Sequence, residues 1–531
     1  MFSLRKPSLR RVAVAMALLS LAALQLDFGR AAEAQLPATG LLDLSVETIS
    51  TDVSDPTIVE VADDGTIVFV ERKGAVNLIG PDGAQVEAGV IPVSANQCAD
   101  CPAEDFALEE GGLHGLLLYP DFSAAGGKLL AYYSVPGSLG TAPATPLHPD
   151  AGGDPTEEGI FRLSRFTVTG TTLDLSSEEV LLENATEWYE CCHYGGDIEW
   201  LADGTVVLST GDDTNPHESN GFSPHDTNEG RDGFNAMRTS QNPADRRGKI
   251  LRIDVDDIDE DGSLVPADNP HVDDAAYDPY VYAMGFRSNY RIDVDPESQA
   301  IIVGNVGPDA QRPDAARGPE GHDEVEVVPA GGGTNHGWPM CIGEAEPYVQ
   351  YDAFGAENPG EPFDCSGTVP AQIHYTYHPD LSFPIMAHGV TRTAIAGPVY
   401  RYDGDGEHAF PEAYQGQFLM LEFSRNSMVT VPFDAETATL DTSAMLPGAL
   451  GSLTGPIDAT IGPDGAVYVA NYGAGFYNAA GGSIARIVPG GPLDGVLPTD
   501  AGADTDATAP IAFAAAALLV LLFPTRSREL I

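Results

Sequence analysis

A histidine and a carboxylate are spaced for partnership within one short stretch of this chain. Cys191-Cys192-His193-Tyr194-Gly195-Gly196 is followed by the strand-like run Gly204-Thr205-Val206-Val207-Leu208-Ser209-Thr210 and then by Gly211-Asp212-Asp213. Histidine is the side chain best suited to take a proton near neutral pH, and a carboxylate on its second ring nitrogen fixes tautomer and orientation. The Gly-Gly pair lets a planar ligand approach the backbone closely. The competing reading is structural: a strand and a tight turn, with His193 satisfied at a sheet edge.

The elements that must position these residues recur along the chain. Between about residues 41 and 490, a turn containing Asp and Gly precedes a short β-rich run. It does so at Asp64-Gly65-Thr66-Ile67-Val68-Phe69-Val70, Asp203-Gly204-Thr205-Val206-Val207-Leu208 and Pro463-Asp464-Gly465-Ala466-Val467-Tyr468-Val469. Less regular copies begin at Lys128, Ala300 and Gly416, which makes six. Asp-Gly favours hairpin turns, and radial repetition of small sheets protects the edges of a long antiparallel chain. The pattern predicts an all-β, six-bladed β-propeller. Few stretches show helical periodicity, and the 58 glycines and 41 prolines punctuate strands. Long insertions at 215–245 and 344–383 are expected as loops on the ligand-binding face.

The ends of the chain read differently. Arg5, Lys6, Arg10 and Arg11 precede the apolar run Val12 to Leu26, and Ala32-Glu33-Ala34 offers a peptidase small residues. Residues 1–34 therefore read as a secretory signal peptide. Residues 497–508 form an acidic linker, and 509–524, followed by Arg526 and Arg528, read as a short C-terminal transmembrane anchor. An exported protein held at the extracellular face of the membrane is expected.

Seventy-nine acidic against 26 basic residues give a net charge of -53, which argues against nucleic acid as a partner. Lysine occurs only at positions 6, 73, 128 and 249, and the carboxylates are spread along the chain, a pattern suited to a halophilic exterior. Six cysteines in an exported chain suggest three disulfides whose connectivity sequence does not fix; proximity favours Cys98–Cys101, Cys191–Cys192 and Cys341–Cys365, with two free buried thiols as the alternative to a vicinal Cys191–Cys192 bridge. Pro102 after Cys101 removes the histidine needed for covalent haem attachment.

Several ordered motifs between Leu41 and Ile487 resemble the glucose/sorbosone dehydrogenase family. They are Gly111-Gly112-Leu113-His114-Gly115-Leu116, His193-Tyr194-Gly195-Gly196, Arg247-Gly248-Lys249-Ile250-Leu251-Arg252, Tyr282-Ala283-Met284-Gly285-Phe286-Arg287, Arg317-Gly318-Pro319 with Asp323-Glu324, and Thr334-Asn335-His336-Gly337-Trp338-Pro339. The resemblance implies a soluble-type aldose dehydrogenase using pyrroloquinoline quinone (PQQ) and calcium. In it His193 would be the general base toward a sugar hydroxyl, Asp212 would orient His193, and Arg287 would stabilise charge on the quinone oxygen. Glu110, Arg287, Asn289, Gly318, Pro319 and Arg425 would contact the cofactor, with Arg392 and Arg401 at neighbouring positions. Gly318 and Pro319 would offer carbonyls to calcium, and Asp323 and Glu324 would serve a second, structural calcium. Glu110 stands where the family often has Gln, and Ser288 where it often has Asn.

Two local patterns stand apart. Asp257, Asp259, Asp261, Gly262 and Asp268 match the spacing of a calcium loop, but they follow a strand pattern and read better as an acidic hairpin turn. Asn184-Ala185-Thr186 is a glycosylation sequon. Taken together, the chain predicts an enzyme oxidising an aldose, polyol or aldehyde by hydride transfer and passing electrons to an external acceptor. A non-catalytic surface propeller that binds glycan or protein is the alternative, and a hydrolase on the same fold a third.

Overall fold

The computed structural model describes residues 44–94, 110–136, 158–187, 192–257, 263–378, 391–448, 453–475 and 480–490. The signal peptide, acidic linker, anchor, Cys98–Cys101 pair and Cys191 lie outside them, as does the centre of the 257–268 loop. Among the described residues no helix is long and apolar enough to cross a membrane.

Six sheets succeed one another along the chain, antiparallel save for Thr334–Asn335, which pairs in parallel with Val281–Met284, and the propeller read from the sequence is observed. The first blade is Pro56–Val61, Ile67–Glu71, Ala75–Ile79 and Gln85–Val90. The second opens on Leu113–Leu118 and carries two long outer strands, Glu158–Thr169 and Thr172–Glu187. Gly195–Trp200, Val206–Thr210, Lys249–Ile253 and Val281–Met284 form the third. Arg291–Val294, Ile301–Asn305, Asp323–Val328 and Ile373–Tyr375 form the fourth. The fifth is built around Gln417–Glu422 and Ser427–Asp434. The sixth joins Pro456–Ile461, Val467–Asn471 and Ser483–Pro489 to the strand Leu44–Ser50 from the start of the described chain. Leu44 pairs with Pro489 and Ser50 with Ile484, so the ring is closed by backbone hydrogen bonds between its two ends.

Each of the six sequence repeats falls on the second strand of its blade. In three of them the cause is visible in the turn: Asp64, Asp203 and Asp464 each accept the N–H two residues on, at 3.0, 2.9 and 3.2 Å. The following Gly65, Gly204 and Gly465 take φ of 84, 87 and 81°, the left-handed region that favours glycine.

The core is a ring of seams between blades. Phe69, Leu419 and Val467 share one apolar cluster where the first, fifth and sixth blades meet. Leu130, Ile198 and Leu208 belong to the seam between the second and third blades, and Ile302, Val325 and Phe418 to that between the fourth and fifth. Each such side chain, fully buried, contributes about 1.5–3 kcal/mol. Aspartates on the innermost strands tie neighbouring blades: Asp458 accepts Val59 N–H at 2.8 Å, and Asp197 accepts Ile292 N–H at 2.9 Å. Of the expected disulfides, Cys341–Cys365 is formed. Cys192 is also disulfide-bonded, with its partner outside the described residues.

Candidate active site

Antiparallel register brings His193 and Asp212 together. Gly195 pairs with Thr210, so two residues further out His193 stands across from Asp212. Cys192 and His193 have φ of 98 and 69°, which turns the chain sharply before the inner strand begins. The opposite strand must leave room: a Cβ on Gly211 would lie 1.7 Å from the His193 carbonyl oxygen.

His193 Nδ1 is 2.8 Å from Asp212 Oδ1. Asp212 is fully buried, and its other partners can only donate: Thr214 N–H to Oδ1 at 3.1 Å and Trp338 Nε1–H to Oδ2 at 2.7 Å. The carboxylate is therefore the acceptor and Nδ1 carries the proton. The lone pair sits on Nε2, which is the form a general base needs. Arg287 belongs to the same unit, because its carbonyl accepts Asp212 N–H at 2.7 Å. Its Nη1 donates to the Val306 carbonyl at 3.0 Å, and its guanidinium lies 5.7 Å from the Trp338 ring centroid.

His193 and Arg287 line one cavity of about 460 Å³, to which every blade or its entry loop contributes. Its wall includes Arg72, Glu110, His217, Tyr290, Asp309 and Tyr472. Glu110 Oε2 accepts the backbone N–H of His193 at 2.7 Å, which fixes a carboxylate beside the histidine. Burial alone would raise the Asp309 carboxyl, but Arg287 and the Tyr377 hydroxyl, at 2.8 Å, hold it below its ordinary value. Burial and the neighbouring His193 push His217 down. The 215–245 insertion thus reaches the cavity through Pro216 and His217. The 344–383 insertion packs on it, with Thr227 N–H donating to Phe354 O at 2.6 Å.

Of the residues singled out in the sequence, His193, Asp212, Arg287 and Glu110 are brought together. The others are not. Asn289 is fully buried and donates to the Lys249 carbonyl at 2.9 Å, away from the cavity wall. The Gly318 carbonyl accepts Asp314 N–H at 2.9 Å, and neither Gly318 nor Pro319 lines the cavity; Val306 and Asp309, which flank an earlier Gly-Pro pair, do. Asp323 is held by Arg392 and by the N–H groups of Gly307 and Ala394, at 3.0 and 2.9 Å. Glu324 accepts Gly343 N–H at 2.6 Å, and burial pushes its carboxyl up to about 8. Among the described residues no group of three or more His, Cys, Asp or Glu is arranged to hold a metal ion.

Arg425 Nε donates to the Thr391 carbonyl at 2.8 Å and lies 3.8 Å from Glu422. Arg401 pairs with Asp295 and Glu297 at 2.7 and 2.6 Å. Asp268 is bonded to Arg252 at 2.7 Å. Asn184 is only 4% exposed and donates to the Tyr132 hydroxyl at 3.2 Å, so the folded chain does not present the sequon to a glycosyltransferase. Sequence reasoning gave no role to Trp338 or Asp309. Trp338 lay inside a recognised motif, whereas nothing in the sequence marked Asp309 among so many acids.

Fold and site define a six-bladed propeller with a histidine–carboxylate pair in an axial cavity. The chain belongs to the glucose/sorbosone dehydrogenase family, whose profile matches residues 53–475. It is 26% identical to the uncharacterized protein slr1608 of Synechocystis over 279 residues, 52% of this chain and 54% of that protein. The chain spans between 39% and 54% of the length of the curated relatives it matches. An oxidoreductase from Thermus thermophilus, described as a glucose dehydrogenase, superposes with a TM-score of 0.52 at 18% identity, covering 84% of this chain and 100% of that one. The soluble aldose sugar dehydrogenase of Escherichia coli, in its apo-form, does so with a TM-score of 0.53 at 16% identity, covering 84% and 99%. At these identities the likeness is one of fold.

Proposed function

We propose that this protein is an exported oxidoreductase that oxidises a hydroxyl-bearing carbon of an aldose or related polyol. The observation that carries the reading is the His193–Asp212 contact of 2.8 Å in a cavity shared with Arg287. With a hydride acceptor bound in the cavity, His193 Nε2 would take the hydroxyl proton as the C–H bond passes its hydride to that acceptor and the carbonyl forms. Asp212 holds the ring and stabilises it once protonated, and Arg287 offers a fixed positive charge where negative charge develops. Family membership and the Cys341–Cys365 disulfide support an exported oxidoreductase.

The hydride needs an acceptor, and the resemblance names calcium-bound PQQ, with electrons leaving to an external acceptor. A cavity of about 460 Å³ has the volume for a planar quinone, and Arg287 and His193 suit its reactive end. The charge of the donor set does not suit the rest. Two guanidinium groups, Arg72 and Arg287, are offset by two carboxylates, Glu110 and Asp309, whereas the quinone carries three carboxylates. Neither Gly318 nor Pro319, the expected calcium ligands, is on the cavity wall. The same charge inventory favours a second reading, a surface propeller that binds an uncharged glycan without turning it over.

Replacing His193 by Ala separates the two. The enzyme reading expects aldose-dependent dye reduction to fall by about 10²–10⁴-fold with ligand binding largely kept. Unchanged reduction would remove His193 from the chemistry, and an absence of reduction in the parent protein over a panel of aldoses would leave the binder.

A further inference from the structure

The carboxylate of Glu110 has a fixed place in the cavity. One oxygen accepts the His193 N–H at 2.7 Å, and the adjoining Gly111 carbonyl is clamped by Arg72 Nη1 at 3.0 Å. The Glu110 carbonyl also meets His114 Nε2. Side chain and backbone are thus both held, so this carboxyl group keeps its place at the cavity wall. Asp309, on the wall of the same cavity, is held by Tyr377, and its ionised form is favoured by Arg287. Of the two guanidinium groups on the wall, Arg72 already lies 3.8 Å from the Asp55 carboxylate, and Arg287 acts on that of Asp309.

We propose that Glu110 is the selectivity residue of this cavity: it acts as a built-in anion that turns away a carboxylate-bearing acceptor and leaves the site to an uncharged quinone. The proposal rests on the redox reading for its choice of ligand class, but its charge logic does not depend on turnover. A like charge a few ångströms from an incoming carboxylate in a half-buried cavity is worth tenfold or more in affinity.

The test is a binding titration of the full chain, in calcium-containing buffer, read by quenching of tryptophan fluorescence. Trp338, bonded to Asp212 and stacked near Arg287, is the reporter at the site. The probes are PQQ and the uncharged o-quinone 1,10-phenanthroline-5,6-dione. Glu110→Gln keeps an oxygen for the His193 N–H and removes the charge. It should tighten PQQ at least tenfold and change the uncharged quinone less than twofold. An unchanged or weakened affinity for PQQ overturns the proposal. If that variant does not fold, the parent protein decides alone: it should prefer the uncharged quinone by at least tenfold, and equal or tighter binding of PQQ overturns the proposal. Absence of aldose-dependent dye reduction in every variant would sink the dehydrogenase reading and leave these affinity ratios standing.

Discussion

Trp338 shows how a single side chain can tune the proposed base without touching a ligand's reacting atoms. Among the described residues its indole N–H is the only donor to Asp212 Oδ2, at 2.7 Å, in a fully buried setting. Without it the carboxylate holds more of its charge against the imidazole, which favours the protonated ring. Trp338→Phe should therefore move the acid limb of the kcat/KM profile to higher pH and lower kcat more than it changes KM. The orphaned oxygen should also cost stability, about 1–3 kcal/mol. A profile that stays in place while stability falls would reduce Trp338 to packing. Asp212→Asn is the harsher companion, and a loss in kcat of about 10³–10⁴-fold is expected from a wrong tautomer.

At the scale of elements, the site is made by one tight approach between the entry to the third blade's inner strand and the exit from its second. Gly211 is indispensable there, since an added Cβ would lie 1.7 Å from the His193 carbonyl oxygen and 3.1 Å from that of Arg287. Gly211→Ala should push His193 away from Asp212. Activity should fall at least tenfold, with a stability loss of about 1–3 kcal/mol; full activity at reduced Tm would show that the loop can re-form the pair. What the sequence made legible follows the same division. Three of the six second strands were visible because an Asx turn, a left-handed glycine and a β-rich run coincide within seven residues. His193 and Asp212 could be paired because one hairpin joins them. Residues that meet across blades left no such local mark. Asp309 reaches the cavity because the chain between Asn305 and Asp323 makes a long excursion, and the Gly-Pro pair occurs at both of its ends, so motif matching alone could not tell which end lines the wall. Arg425 looked like a late-blade cation for a ligand, yet it is consumed by the Thr391 carbonyl and the neighbourhood of Glu422.

For the whole molecule, the question is how a chain of net charge -53 packs carboxylates along its own axis. Glu60, Asp197, Glu199, Asp293 and Asp458 sit on innermost strands, with Arg291 among them bonded to the carbonyls of Ile457 and Thr57. Burial raises all five, Asp197 to about 7 and Asp293 to about 8, the others upward; repulsion between carboxylates adds to it for Glu60, Asp197, Glu199 and Asp293, and Arg291 opposes it at Asp197 and Asp458. A group whose folded pKa lies above its unfolded one binds more protons when folded. Its contribution to stability is complete below the unfolded value, near 4, and is lost as pH rises through the folded value. Unfolding free energy should thus decline between about pH 5 and pH 8, in the direction opposite to that of salt-bridged carboxylates. Asp293→Asn keeps an acceptor for Val399 N–H, which Asp293 Oδ2 meets at 3.2 Å, and removes one charge from the axis. The variant should be more stable than the parent at pH 8 by about 1–2 kcal/mol and nearly equal to it at pH 4. Molar salt, by screening the distributed surface charge, should raise the Tm of both proteins together. Denaturant melts at the two pH values, each at low and high salt, separate the two effects: a gap between variant and parent that persists at high salt locates the penalty on the buried axis. A gap that vanishes there would place it on the surface and overturn the assignment to Asp293.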